Sequence, residues 1–201
     1  MVVIGITGPT GAGKTTVLNV LAEFGAVIVD CDTLYHRMLE TGQKMLAELK
    51  NRFGDGIFGK DGILRRKALG DIVFARPDAL ADLNAITHRH ILRELDALIA
   101  KAKEEGRPAI ALDAIALIES GLGAWCDVTV AVTADDEQRV RRIMDREGIP
   151  EGYARKRVAA QKPSAWFEER CDHALRNDGS KAELEEKARA LFSTIIPKEE
   201  S

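Results

Sequence analysis

Cysteine is scarce in this chain of 201 residues: Cys31, Cys126 and Cys171 stand far apart and none belongs to a Cys-x-x-Cys pair. An odd number at wide spacing excludes a disulfide framework and a cysteine zinc site, and reads as reduced cytosolic thiols. No apolar run approaches the roughly 20 residues of a membrane span. A signal peptide is not expected either, because the first residues already read as a strand. Positive charge is not in excess, with a formal net charge of −3, so nothing in the overall balance points to nucleic acid or an anionic membrane as partner. Internal repeats and low-complexity linkers are missing. So are an Asn-Lys-x-Asp guanine motif (Asn177-Asp178-Gly179-Ser180 lacks the lysine and the second acid) and a Leu-Ser-Gly-Gly-Gln transporter signature. His88 and His90, two apart on a helix, fall on different faces and do not make a metal pair. These absences leave a soluble, cytoplasmic protein and argue against a nucleotide switch or a transport motor.

What is present is organised around Gly8-Pro9-Thr10-Gly11-Ala12-Gly13-Lys14-Thr15, which fits the pattern G-x-x-x-x-G-K-[ST]. Before it, Val2-Val3-Ile4-Gly5-Ile6 reads as a buried parallel strand. After it, Val17, Leu18, Val20 and Leu21 recur at helical spacing. Strand, glycine loop and helix together give the motif its mechanical meaning. The glycines let successive N–H groups point at a phosphate, and the helix N-terminus adds partial positive charge. Lys14 is expected at the β- and γ-phosphates and the Thr15 hydroxyl on Mg²⁺. The chain is therefore expected to bind a nucleoside triphosphate.

Further along, Ala26–Val29 reads as a second strand ending in Asp30-Cys31-Asp32. Ligands of open parallel sheets collect at the carboxyl ends of strands, so a catalytic or metal role is expected for at least one of these acids. Either could instead cap a helix starting near Thr33. Helical patterns cover 34–39, 45–53 and 65–74, with turns at Gly54-Asp55-Gly56 and Lys60-Asp61-Gly62, and Pro77 starts a long helix ended by Gly106-Arg107-Pro108. From Arg65 to Arg93, six Lys/Arg face three acids, which reads equally as a solvated surface or as a site for an anionic acceptor. Ala109–Asp113 is an apolar strand ending in an acid, and 128–132 is another strand. Alternating strands and helices predict a parallel sheet covered on both faces. Thr133-Ala134-Asp135-Asp136 has the pattern of a capping box. The helix it opens carries Arg139, Arg142 and Arg146 on one face, Gly148 breaks it, and Glu151–Gln161 predicts a second. Eight Lys/Arg stand against three acids between 139 and 162, and this basic hairpin reads as a lid over the triphosphate. His173–Arg176 reads as a short strand, 177–179 as a turn into an amphipathic helix, and 197–201 as a polar end.

In order, ITGPTGAGKTT, the Asp30-Cys31-Asp32 element, DGILRRKALGDIVF, the His88-to-Ile91 element, LDAIALIES and RIMDREGI…RVAAQ…CDHALRNDGS resemble the dephospho-CoA kinases over roughly residues 2 to 192. That resemblance implies an α/β fold, a three-layer α/β/α P-loop kinase with a parallel sheet, a helical CoA-binding insertion and a helical lid. The core is expected at 1–32, 108–134 and 170–201, the acceptor domain at 33–107 and the lid at 135–169. The implied reaction moves the γ-phosphoryl of ATP to the ribose 3′-hydroxyl of dephospho-CoA, completing coenzyme A. By resemblance Asp32 faces the acceptor hydroxyl, Thr7 belongs to the active site, and Arg142 or Arg146 is the lid arginine beside Lys14. Gly8, Thr10, Gly11, Ala12, Gly13, Lys14, Thr15 and Thr16 form the ATP loop, and Asn177 and Gly179 border the adenine. Arg65, His88 and Asp113 join Thr7 and Asp32 as acceptor contacts, and Asp30 or Asp113 joins Thr15 at Mg²⁺ through water. The chain departs from the family at His88-Arg89, where His-Pro is usual, and at Asp113–Glu119, where Pro-Leu-Leu-Phe-Glu is usual.

ATP and dephospho-CoA are thus the expected partners, with no nucleic acid or membrane, on a monomer or weak homo-oligomer. Another P-loop kinase, acting on a nucleoside monophosphate or a sugar, is the alternative.

Overall fold

A computed structural model describes residues 1–197. Five strands form one parallel sheet: β1 (Val2–Thr7), β2 (Val27–Asp30), β3 (Ala109–Asp113), β4 (Val128–Thr133) and β5 (His173–Arg176), in the order β2-β3-β1-β4-β5. The three middle strands are almost wholly buried, as runs such as VVIGIT and VTVAVT require when both faces are covered. The edge strands β2 and β5 have four residues each; β2 exposes Ile28 and Asp30, and β5 exposes all but Leu175. All five run in one direction, so their carboxyl ends, including Thr7, Asp30, Asp113 and Thr133, lie along one rim. In register, Asp30 pairs with Asp113 and Ile6 with Asp113, which sets the two acids on adjacent strands next to the end of β1.

The chain clusters into two compact units, residues 1–30 with 101–201 and residues 31–100. In the first, helix α1 (Lys14–Glu23) buries Val17, Leu18, Val20 and Leu21 in a core shared with Ile4, Ile6, Val130 and Val132. Leu184, Ala188 and Phe192 of α9 (Lys181–Ile195) enter the same core. Ser180 caps α9 by accepting the Glu183 N–H at 3.2 Å.

The second unit holds α2 (Cys31–Thr41), α3 (Gln43–Phe53), α4 (Arg66–Ala75) and most of α5 (Pro77–Glu104). Its own core gathers Leu39, Met45, Leu49, Ile57, Leu64, Leu69 and Val73. The expected turn at Lys60-Asp61-Gly62 closes a small antiparallel bridge between Phe58 and Leu64.

Three local expectations are corrected. Helix α2 begins at Cys31 rather than near Thr33, so Asp32 sits inside its first turn and does not cap it. Thr133 ends β4 and gives its hydroxyl to Glu168 Oε1 at 2.7 Å, so no capping box forms; α6 (Asp136–Glu147) starts from Asp135 without a side-chain cap. Helix α7 (Glu151–Ala159) stops two residues short of Gln161, and a short α8 (Ser164–Glu168), unforeseen, follows. The polar end is described only as far as Pro197; residues 198–201 lie outside the described residues. Among the described residues, no helix is long and apolar enough to cross a membrane.

Candidate active site

The glycine loop lies between β1 and α1, at the carboxyl rim of the sheet. Gly13 has φ 107°, and a Cβ there would stand 2.3 Å from Asn177 Nδ2, so no side chain fits. Asn177, 6 % exposed, gives that same Nδ2 to the Ala12 carbonyl at 2.8 Å. Its own N–H is held by Thr133 O at 2.8 Å, where β4 ends. The residue expected at the adenine thus braces the phosphate loop from outside, and its side-chain Oδ1 is buried with no hydrogen-bond partner among the described residues. Gly179 is exposed in the neighbouring turn.

A cleft of about 360 Å³ opens over the loop, lined by Thr10, Gly11, Gly13, Lys14, Thr15 and Asp113 together with Ile115, Arg142, Arg146 and Arg157. Lys14 Nζ donates to Gly8 O at 3.2 Å from the start of α1. Asp113 ends β3 half-buried, and Asp30 ends β2 exposed. Thr7 is wholly buried and gives its hydroxyl to Ile115 O at 3.0 Å, so it supports the cleft wall from beneath. Thr16 follows Thr15 in α1 and its N–H bonds Gly13 O at 3.0 Å.

Four cations come from the basic hairpin, and they differ in what holds them. Arg142, half-buried, reaches Gly11 O at 3.4 Å, Asn177 O at 2.9 Å and Gln138 Oε1 at 2.9 Å. Arg146 bonds Glu147 Oε1 at 2.6 Å, and Arg157 bonds the other oxygen of the same carboxylate. Those two guanidiniums hold the Glu147 carboxyl below the usual range. Arg139, placed by periodicity on the same face, is 1 % exposed and lies under the loop rather than in the cleft. Burial pushes its pKa down and Asp136 pulls it back.

Periodicity could not separate Arg139 from its neighbours, because the burial comes from another part of the chain. Arg157 was visible only as one of three adjacent basic residues. Its separation from Arg155, which is bound to Glu137 and Glu151, depends on the packing of α6 on α7. Gln161 was read as the end of a helix, and it is instead a partner of Thr10.

A larger cavity of about 930 Å³, lined in part by Phe24, Gly25, Gly106 and Pro108, lies where β2 and β3 begin. That is the amino-terminal end of the strands, and ligand chemistry in parallel sheets belongs at the other end.

In the second unit, Asp32 is exposed in the first turn of α2, where a carboxylate meets the positive end of the helix. Arg65 precedes α4, exposed, on the wall of a shallow 410 Å³ pocket formed by 59–61 and 63–65. His88 is half-buried on α5, while its neighbour His90 is buried against Glu48 Oε1 at 3.1 Å.

The family profile described as Dephospho-CoA kinase matches residues 2–183. A Dephospho-CoA kinase from Corynebacterium jeikeium is 40 % identical over 195 residues, covering 97 % of this chain and 100 % of the relative. One from Geobacter metallireducens is 38 % identical, covering 98 % of both. Among solved structures, the Thermus thermophilus protein TT1252 superposes with a TM-score of 0.77 at 32 % identity over 98 % of each chain.

Proposed function

The chain belongs to the dephospho-CoA kinase family, and from that membership we propose how its residues share the work. It moves the γ-phosphoryl of ATP to the ribose 3′-hydroxyl of dephospho-CoA, the last step of coenzyme A synthesis. One observation carries the reading: Lys14 and Thr15 of the loop share a single cleft with Asp113 and with Arg142, Arg146 and Arg157 of the hairpin. Phosphoryl transfer asks for such an arrangement, a cradle for the phosphates and cations for the charge that spreads over the transferred group.

Lys14 meets the β- and γ-phosphates. Arg142 and Arg146 close on them from the lid, 135–169. The loop from Gly8 to Thr16 holds ATP, and Asn177 and Gly179 flank its base. Thr7 keeps the wall of the acceptor side in place through Ile115. The donors lining the cleft suit a hard cation, since Thr15 and Asp113 offer oxygen and no lining residue offers sulfur or imidazole. Thr15, with Asp113 or Asp30 through water, would hold Mg²⁺, which supplies charge neutralisation at the phosphates. Residues 33–107 bind dephospho-CoA, with Arg65 and His88 among the contacts. Asp32 accepts the proton of the ribose hydroxyl as the bond to phosphorus forms. The reading includes a cytoplasmic location, which the three free and widely spaced cysteines support, and a monomer or weak homo-oligomer.

An assay coupling ADP formation to dephospho-CoA tests the reading. ADP release and a new 3′-phosphate with dephospho-CoA, and none with nucleoside monophosphates or sugars, is the expected result. Equal turnover of a nucleoside monophosphate would overturn the acceptor assignment.

A further inference from the structure

Thr10, at the tip of the phosphate loop, has all three of its polar groups taken by two side chains from the lid. Gln161 Oε1 accepts the Thr10 N–H at 3.0 Å, and Gln161 Nε2 donates to Thr10 Oγ1 at 3.0 Å. The Thr10 carbonyl accepts from Arg139 Nε at 3.0 Å. Arg139 also donates to the same Gln161 oxygen at 2.9 Å and to Asp136 Oδ1 at 2.6 Å. A buried guanidinium is tolerated only when its donors are satisfied, and here each of its three nitrogens has a partner. The contact continues in the backbone: a Cβ on Gly11 would stand 2.8 Å from the Arg139 carbonyl, so the loop rests directly on α6.

Peptide planarity turns these bonds into an aim. In a trans peptide the C=O and the next N–H point to opposite sides, and the described residues contain no cis bond. Holding the Thr10 carbonyl on Arg139 therefore turns the Gly11 N–H away from α6. Asn177, holding the Ala12 carbonyl, does the same for the Gly13 N–H. Gly11 and Gly13 both line the cleft. The carbonyls are gripped from outside, and the amides face the side on which a phosphate arrives.

We propose that Gln161, acting with Arg139, is a positioning residue that pre-sets the phosphate loop for the triphosphate of ATP. Neither side chain needs to touch the nucleotide. The proposal rests on the reading that ATP reacts at this loop. Because Gln161 follows α7 and Arg139 lies within α6, the clamp also ties both ends of the basic hairpin to the loop.

The test is a binding cycle on the full-length enzyme with Gln161→Ala, Thr10→Val and the double variant. Equilibrium ATP binding, KM for each substrate and the thermal transition are measured for all. Gln161→Ala removes two hydrogen bonds with Thr10 and one with Arg139, and should weaken ATP about tenfold. The KM for dephospho-CoA should stay within about twofold, since hydrogen bonds to the loop leave that substrate untouched. Thr10→Val removes only the hydroxyl and should weaken ATP roughly two- to fivefold. In the Gln161→Ala background it should add nothing, because its partner has gone. Wild-type ATP affinity in Gln161→Ala, additive losses, or equal losses for both substrates with a lowered transition would overturn the proposal. If Gln161→Ala does not fold, unchanged ATP affinity in Thr10→Val overturns it alone. Lys14→Ala separates the two levels. If that variant loses ATP while Gln161→Ala does not, only the clamp fails. If Lys14→Ala keeps full ATP affinity, the loop reading fails and the clamp falls with it.

Discussion

Around the phosphate loop most polar groups are taken up with one another; within residues 31–100, Asp32 and Arg65, two of the residues assigned to the acceptor, stand in solvent. Thr10, Gly11 and Ala12 each have a carbonyl held by Arg139, Arg142 or Asn177, and two of those three side chains are buried. Asp32 and Arg65 are exposed, and the charges near them pair across the surface, as Arg66 does with Glu40 and Arg52 with Asp82. The difference follows from what each region handles. Donors already aimed at a triphosphate cost no reorganisation at the moment of reaction. The proposed acceptor reacts through a neutral hydroxyl, which asks for no such cradle of fixed donors.

The sharpest way to break that comparison is through Asp32. Asp32→Asn keeps its size and most of its hydrogen bonding while removing the basic site, so turnover should fall roughly 10²–10⁴-fold with ATP binding little changed. A fall of less than about tenfold, with Asp30→Asn the crippled variant, would move the role to the other carboxylate. Weakened Mg²⁺–ATP binding, partly rescued by excess Mg²⁺, would show a metal role instead. Lys14→Ala comes next. It deletes a charge at the transferred group rather than a core contact, and should lower kcat/KM about 10²–10³-fold with an unaltered circular dichroism spectrum. Near-normal turnover would show that the built cleft is not where ATP reacts.

Smaller effects sharpen the contrast inside the lid. Arg142 is bound into the loop and Arg155 only to Glu137 and Glu151, so Arg142→Ala should reduce turnover about tenfold or more and Arg155→Ala less than about twofold. Equal losses would make the hairpin a single solvated face. Glu147→Gln is expected to have a small effect of the opposite sign, a roughly two- to fivefold fall in KM for ATP, the scale of an exposed ion pair, because Arg146 and Arg157 lose their shared carboxylate. Its carboxyl is held below the usual range, so its stabilising contribution is complete above the unfolded pKa and fades as pH falls through the folded one. The difference in melting temperature between wild type and Glu147→Gln should be full at neutral pH and shrink progressively once the pH falls below the ordinary glutamate pKa of about 4.3. A difference undiminished there would mean the carboxylate matters by shape rather than by charge.

Local patterns were readable where the cause is local. The strand before Gly8, the helix after Gly13, the acid ending β3 and the turn at Lys60–Gly62 follow from neighbouring residues and were visible in the chain. Distant causes were not. Arg139 and Arg142 are equivalent by helical periodicity, and only the loop, 129 positions away from Arg139, buries one of them. Thr133 had the composition of a helix cap, but β4 pairing carried the strand through it and Glu168 took its hydroxyl. Gln161 followed a good helical run, and no local signal marks a glutamine as the partner of Thr10. Asn177 was placed near the nucleotide by resemblance alone, and its grip on Ala12 came into view only with the fold.

One consequence concerns the order in which the chain is made. The glycine motif precedes its braces in the chain, after the strand that lies in the sheet between β3 and β4. Its braces come from residues 139, 161 and 177, the last of them 165 positions after the carbonyl it holds. A chain cut short before residue 139 therefore carries the motif without the side chains that hold its carbonyls in place.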